Sequence, residues 1–483
     1  LSLFAFRSGI LFIEEYRGNR TMRILLNRRD WLQLSLLGAV GSQNQSWSGG
    51  GGNQAFRGFG KAKSVVVFYT GGGMSQFESW DPKPNAPAEI RGEFGTIPTS
   101  VVGVRLAEHL PKVAQIADQL TIVRSMTHDD TDHGSATYAA LTGFFHARKS
   151  SNPLPTPQDM PTLGAVLKKV RPHPKLPHTA LHLNGPLLAP ELPAVGQFGG
   201  VLGRGHEPFV IGDALNHKSY LQSMLPDPDV PTLRLEARQE LLSKLDSLNR
   251  SLDASQDQDR LALQRQALEL LNSTQYREAF ELEREPQRIR DQYGWYRTGQ
   301  ACLLARRLVE VGVPYITVFC NQLIRGQDKA PEDTNSYGWD THNDIFESLR
   351  DHLLPRFDQT FSTFIKDLQQ RGLLESTLVV CMGEFGRAPL VAHEARFAGN
   401  TPGRKHWAAC YSIVLAGAGV KRGAVFGASD KSGAYPSLNP VSPSDISATI
   451  FAALGIDPSQ HYKDNQDRPY IISNGKPVSG LWE

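Results

Sequence analysis

The stretch "LTIVRSMTHDDTDHGSATYAALTG", residues 120–143, changes character halfway along. Its first seven residues are mostly apolar and β-prone, as in a strand buried on both faces. The polar "THDDTDH" follows, then small residues and finally Gly143, as in a helix closed by a glycine. A buried strand, a polar turn and a helix in succession predict one α/β unit. The same alternation recurs in "SVVVFYT" (64–70), "TALHL" (179–183), "YITVFC" (315–320), "TLVVCM" (377–382) and "SIVLAG" (412–417). Between them lie helical stretches: "LAEHLPKVAQIADQ" (106–119), "GQACLLARRLVEVG" (299–312) and "IFESLRDHLLPRFDQTFSTFIKDLQQRG" (345–372). The expected architecture is a mostly parallel central sheet with helices on both faces, over residues 63–483.

Composition bounds the partners. The 483 residues are 40% hydrophobic and 21% charged, an ordinary globular balance. Lysine and arginine number 51 against 49 acidic residues, so no broad field points to nucleic acid or an anionic membrane. Cys302, Cys320, Cys381 and Cys410 are widely spaced and form no C-x-x-C, which indicates neither a zinc ribbon nor a disulfide framework.

Three segments stand outside the α/β rhythm. "NRRDWLQLSLLGAVGS" (27–42) sets Arg28 and Arg29 before a short apolar stretch and small residues, resembling a twin-arginine export signal. That stretch is too short for a stable membrane span, which needs roughly 20 apolar residues. Residues 22–45 are therefore expected to engage the twin-arginine export machinery, with 1–21 an upstream extension and 46–62 a Gly/Ser-rich linker. An exported protein, periplasmic or extracellular, follows. Residues 146–215 form a loop-rich rim, and the charged, leucine-bearing 232–290 a helical insertion, read as a hairpin rather than a coiled-coil arm.

In open α/β sheets, ligands collect at the carboxyl ends of the strands. Four strand candidates lead there into "GGGMSQFESWDPKP", "THDDTDHGSAT", a loop ending in "GWDTHND", and "GEFGRAP"; "GRKHW" precedes a fifth. Asp340, His342, Glu384 and His406 form a mixed carboxylate and imidazole set that suits a divalent metal, with zinc or manganese ahead of calcium. Arg387, Arg404 and Lys405 are candidates for binding an anionic group. His133, Ser135 and His128 are candidates for the chemistry itself.

The order of these motifs resembles that of sulfatases and the wider alkaline-phosphatase superfamily. It is most similar to an uncharacterised family of exported sulfatase-like proteins, a domain of unknown function. The resemblance runs from about Arg28 almost to the end of the chain and implies a three-layer α/β sandwich. Laying "LTG" (141–143) on the matching sulfatase block puts His133 where those enzymes carry the cysteine oxidised to formylglycine, so no formylglycine is expected. Cys302, in "CLLAR", lacks the proline of that motif. The resemblance also implies an aspartate at the end of the first strand, where "YTGGGMSQ" has glycines, and a histidine where Phe385 stands. One metal is expected rather than two.

Three mechanisms fit what remains. A metal activates water against a phosphate or sulfate ester; Ser135 or Thr137 attacks with His128 or His133 as base; or His133 itself is the nucleophile in phosphoryl transfer. Metal-dependent hydrolysis of a small-molecule or polysaccharide ester is the preferred reading. The alternative is a catalytically degenerate binding protein for anionic polysaccharide or a cell-envelope component.

Overall fold

The computed structural model describes residues 2–7, 10–17, 20–26, 56–216, 274–324 and 338–482. The chain divides into two units, Leu1–Gln54 and Ala55–Glu483. In the first, strands Ser2–Arg7, Ile10–Arg17 and Arg20–Leu26 form an antiparallel sheet. Arg28 and Arg29, the rest of the expected export signal, and linker residues 46–55 lie outside the described residues, as does 232–273 of the expected helical insertion. Among the described residues, no helix is long and apolar enough to cross a membrane.

The second unit is built on eight strands. In chain order they are β1 (Ser64–Tyr69), β2 (Leu120–Met126), β3 (Ala180–Leu183), β4 (Phe209–Ile211), β5 (Tyr315–Phe319), β6 (Thr377–Met382), β7 (Tyr411–Ala416) and β8 (Ala424–Phe426). Their order across the sheet is β8-β2-β7-β6-β1-β5-β3-β4. Of these eight, β7 alone runs against its neighbours. All six strand candidates read from the sequence are members. β4 and β8, three residues each, are too short to carry a periodic signal.

Alternation along the strands divides the core into two layers. Val66, Phe68, Ile316, Val318, Val379 and Cys381 face α3 (Arg297–Glu310) and α4 (Leu354–Gln370). Val65, Val67, Leu378, Val380, Ile413 and Leu415 face α1 (His133–Thr142), α2 (Leu163–Val170) and α5 (Pro443–Ala453). The protein is a three-layer α/β sandwich. All four cysteines are buried free thiols within it.

The expected helix 106–119 is broken up. Arg105–Ala107 pairs with Thr96–Pro98 in a hairpin, and Pro111 starts a four-residue turn of helix, Pro111–Ala114. Proline has no amide hydrogen for a preceding turn, so a helix can begin but not continue there. The expected helix 345–372 is present, with a π-helical turn at Leu349–Leu353 just before Pro355.

Register places the strand ends together. Tyr69 pairs with both Phe319 and Met382, so β1, β5 and β6 finish side by side. Met126, the end of β2, is opposite Tyr411, the start of β7. Because β7 is reversed, the residues before it arrive at the edge where the parallel strands end. An aromatic cluster ties this edge to α4. Phe357 lies 5.6 Å from Phe68, 5.7 Å from Trp80, 5.8 Å from Trp339 and 5.2 Å from Phe361, by ring centroids. Phe357→Ala is expected to lower unfolding free energy by about 3–5 kcal/mol, and Phe357→Leu by much less. Urea midpoints measure this; a loss below about 1 kcal/mol for the alanine variant would contradict the packing described.

Candidate metal centre

At the shared edge each element delivers one or two polar side chains. The turn after β2 ends with Asp132, whose carboxylate caps α1 by accepting from the His133 amide, which fixes His133 as the first helical residue. The helix ends at Gly143, in the left-handed conformation with φ 78°, where a Cβ would lie 2.3 Å from Ser447 Oγ on α5. The "GWDTH" loop is threaded against the glycine turn after β1. Trp339 N donates to Gly71 O and Asp340 N to Ile324 O. Gly386–Arg387 pairs with His406–Trp407 in a two-residue antiparallel ribbon, which sets His406 beside Asp340.

Asp340 is the hub. Its Oδ1 lies 3.1 Å from His342 Nε2, 3.2 Å from His406 Nε2 and 2.8 Å from Arg387 Nη2. Its Oδ2 lies 3.3 Å from His133 Nε2. The Nε2 atoms of His342 and His406 are 2.9 Å apart. One donor atom each from His133, Asp340 and His406 falls within 4.8 Å of the others.

The opposite nitrogen of every ring is committed to an acceptor. Nδ1 of His133 faces Glu384 Oε1 at 2.6 Å, Nδ1 of His342 faces Glu394 Oε1 at 3.0 Å, and Nδ1 of His406 faces the Thr131 carbonyl at 2.7 Å. An acceptor there keeps the hydrogen on Nδ1, so a neutral ring presents the Nε2 lone pair to the centre. The Nε2 atoms of His342 and His406, 2.9 Å apart beside a carboxylate, are placed to share a proton or a cation. His133 Nε2 is buried and makes no aligned hydrogen bond. Carboxylate-buttressed imidazoles converging on one carboxylate fit a divalent transition metal.

Without a metal, protons compensate. Burial disfavours a charge on His133, but Asp340 and Glu384 outweigh it and raise its pKa to about 9. Burial likewise opposes ionisation of Asp340, yet the charges of His133 and Arg387 hold it well below the usual carboxylate range. Burial, with the neighbouring His133 charge, pushes His406 down to about 3, leaving it neutral.

The other residues expected at the site take different places. Glu384, fully buried, accepts from Gly72 N at 2.8 Å and Tyr69 OH at 3.1 Å besides His133, so its carboxylate stands behind His133 and not among the converging donors. Arg387 is buried, donating to Asp340 and to the carbonyls of Gly72, Gly73, Trp339 and Arg404. Arg404 is buried against Glu78 and the carbonyls of Ala388, Pro389 and Ile90. Ser135 donates to Asp130 at 2.7 Å and accepts from Ser151 N, joining α1 to the following loop. His128 bonds the Glu384 carbonyl through Nε2 and accepts from Asp130 N through Nδ1. Thr137 Oγ1 meets Tyr69 OH.

His133, Asp340, His342, His406 and Lys405 line a cleft of about 810 Å³. Its wall includes three residues not singled out in the sequence. Arg396, three-quarters exposed, lies over the Phe397 ring at 4.9 Å, and Phe397 stacks on His342 at 3.7 Å. Asn152 holds the Gly134 amide at 2.7 Å. The loop 388–405 thus supplies Glu394 and Phe397 to the His342 ring and two cations, Arg396 and Lys405, to the cleft. Nothing in the local pattern "HEARFAGN" marks it, because its role arises from where the ribbon carries it.

Comparison with known proteins places the chain. Similar solved structures include a phosphonate monoester hydrolase from Silicibacter pomeroyi, 12% identical over 86% of this chain and 76% of that one, with a TM-score of 0.39. A protein in the alkaline phosphatase superfamily from Vibrio parahaemolyticus is 11% identical over 89% and 76%, with a TM-score of 0.40. The lipoteichoic acid synthase LtaP from Listeria monocytogenes is 10% identical over 85% and 76%, with a TM-score of 0.39. Among curated proteins none matches. The family model described as protein of unknown function, DUF1501, matches residues 62–481, and the chain belongs to that family.

Proposed function

We propose that the protein is an exported, metal-dependent hydrolase of phosphate or sulfate esters. The observation that carries the reading is the convergence of three Nδ1-anchored imidazoles on the Asp340 carboxylate at the floor of an open cleft. Asp340, His342 and His406 would hold one metal, zinc or manganese before calcium, with His133 beside them. A bound divalent ion supplies Lewis acidity toward the ester and a lowered pKa for water.

The chain's own residues do the rest. Glu384 and Glu394 orient the rings of His133 and His342 from behind. Arg387 takes up part of the Asp340 charge on one lone pair of Oδ1 and leaves the other available. Arg396 and Lys405 give the cleft wall positive charge toward an anionic ester. One observation favours a second reading. The hydroxyls of Ser135 and Thr137 are turned to Asp130 and Tyr69, as a metal-dependent binding protein for anionic polysaccharide or an envelope component would permit.

Two tests follow. Purified protein should carry about one equivalent of zinc or manganese by elemental analysis and hydrolyse aryl phosphate or aryl sulfate, with both lost in an Asp340→Ala, His342→Ala variant. Stoichiometric metal, retention on anionic polysaccharide and no ester turnover would instead select the binding reading; no metal at all would end both. The second test concerns pH. In the metal-free chain His133 has a raised pKa, so its pair with Asp340 and Glu384 stabilises the fold fully below the ordinary value of 6.5, and this is lost as pH rises through about 9. A divalent ion held by Asp340 would offset the carboxylate charge that raises the His133 pKa. Binding at about pH 8 should therefore release close to one proton, read from the buffer dependence of calorimetric heats. Heats independent of the buffer would contradict that linkage.

A further inference from the structure

We infer that His133 Nε2 is a covalent nucleophile, taking up the phosphoryl group of a phosphate monoester. The inference rests on the hydrolase reading and names the step within it. Four observations carry it. His133 opens the ten-residue helix α1 at the carboxyl edge of the sheet and lines the cleft. It is 5% exposed, and its Nε2, 3.3 Å from Asp340 Oδ2, makes no aligned hydrogen bond. Nδ1 is fixed to the Glu384 carboxylate at 2.6 Å, which holds the tautomer a nucleophilic Nε2 requires. The neighbouring hydroxyls of Ser135 and Thr137 are bonded elsewhere.

The metal donors form a separate and tighter group. Asp340 Oδ1, His342 Nε2 and His406 Nε2 make a triangle with edges of 3.1, 3.2 and 2.9 Å. One carboxylate oxygen and two imidazole nitrogens this close together would hold a single divalent ion. His133 Nε2 lies outside that triangle, facing the other carboxylate oxygen at 3.3 Å.

The step balances as follows. The Nε2 lone pair attacks phosphorus and forms an N–P bond while the ester P–O bond breaks, its pair leaving on the alcohol oxygen, which takes one proton from solvent. The positive charge on the phosphorylated ring is met by Glu384 at Nδ1. Water then attacks phosphorus, the N–P pair returns to Nε2, inorganic phosphate departs, and the water's proton goes to solvent, replacing the one consumed. No oxidant or further reactant is needed.

The test uses the full chain loaded with manganese or zinc. Hydrolysis of an aryl phosphorothioate ester, chiral at phosphorus by oxygen isotopes, should proceed with retention, because two displacements each invert the centre. Radiolabelled p-nitrophenyl phosphate quenched in alkali should leave label on the peptide bearing His133, released by mild acid. A His133→Asn variant should keep its metal equivalent while losing turnover by orders of magnitude. Inversion at phosphorus, or loss of the metal from the variant, would overturn the inference and leave the hydrolase reading standing. Failure of the metal-loaded wild type to turn over any phosphate or sulfate ester would instead remove the hydrolase reading and this inference with it.

Discussion

One buried negative charge organises the edge of this molecule. Asp340 is 6% exposed, and a carboxylate that far from water needs partners for both oxygens. Arg387 and three imidazoles provide them. Each partner is in turn held from behind. Arg387 is fixed by a ring of backbone carbonyls, His133 by Glu384, His342 by Glu394 and His406 by the Thr131 carbonyl. Removing any one supporting group frees a charged or polar group in a dry place, which explains why the arrangement is so fully cross-braced.

The sheet makes this convergence possible. Parallel strands β1, β2, β5 and β6 end at one edge and can deliver only residues that follow them. The reversed β7 adds residues that precede a strand, and His406 comes from that side. Without one antiparallel strand in an otherwise parallel sheet, the "GRKHW" segment would emerge at the opposite edge. Topology, rather than any property of the histidine, makes His406 a donor.

The fold was legible because buried strands and long helices leave periodic, mostly apolar tracts; the six strand candidates needed no tertiary information. The site was legible only in part. Asp340, His342, His133 and His406 stand out because each follows or precedes a buried strand within a polar turn. Arg387 and Arg404 stand out equally, yet both are enclosed and spend their hydrogen bonds on carbonyls and on Asp340 or Glu78. Sequence cannot distinguish a guanidinium that braces a loop from one that meets a ligand, since the difference is burial. Glu394, Arg396 and Phe397 carry no local signal. Their importance depends on the loop 388–405 folding back over His342, held by Asn343 and Asp344, whose side chains bond Glu394, Asn400 and Thr401.

The glycines after β1 are packed into the loop that supplies Asp340. Gly72 has φ of 111°, and a Cβ there would lie 2.4 Å from Asp340 N and 2.5 Å from the Ile324 carbonyl. At Gly73 it would meet the Phe385 ring at 2.7 Å, and at Gly71 the Leu187 side chain at 3.0 Å. The turn therefore cannot carry a carboxylate at Gly72 or Gly73 without moving the loop that supplies Asp340. The Gly72 amide instead donates to Glu384, and the carbonyls of Gly72 and Gly73 accept from Arg387. Backbone groups occupy the space in which the sulfatase resemblance implies an aspartate ligand, and the ring of Phe385 stands where it implies a histidine. The position that remains beside Asp340, His342 and His406 is filled by His133, 3.3 Å from Asp340 Oδ2 and held from behind by Glu384.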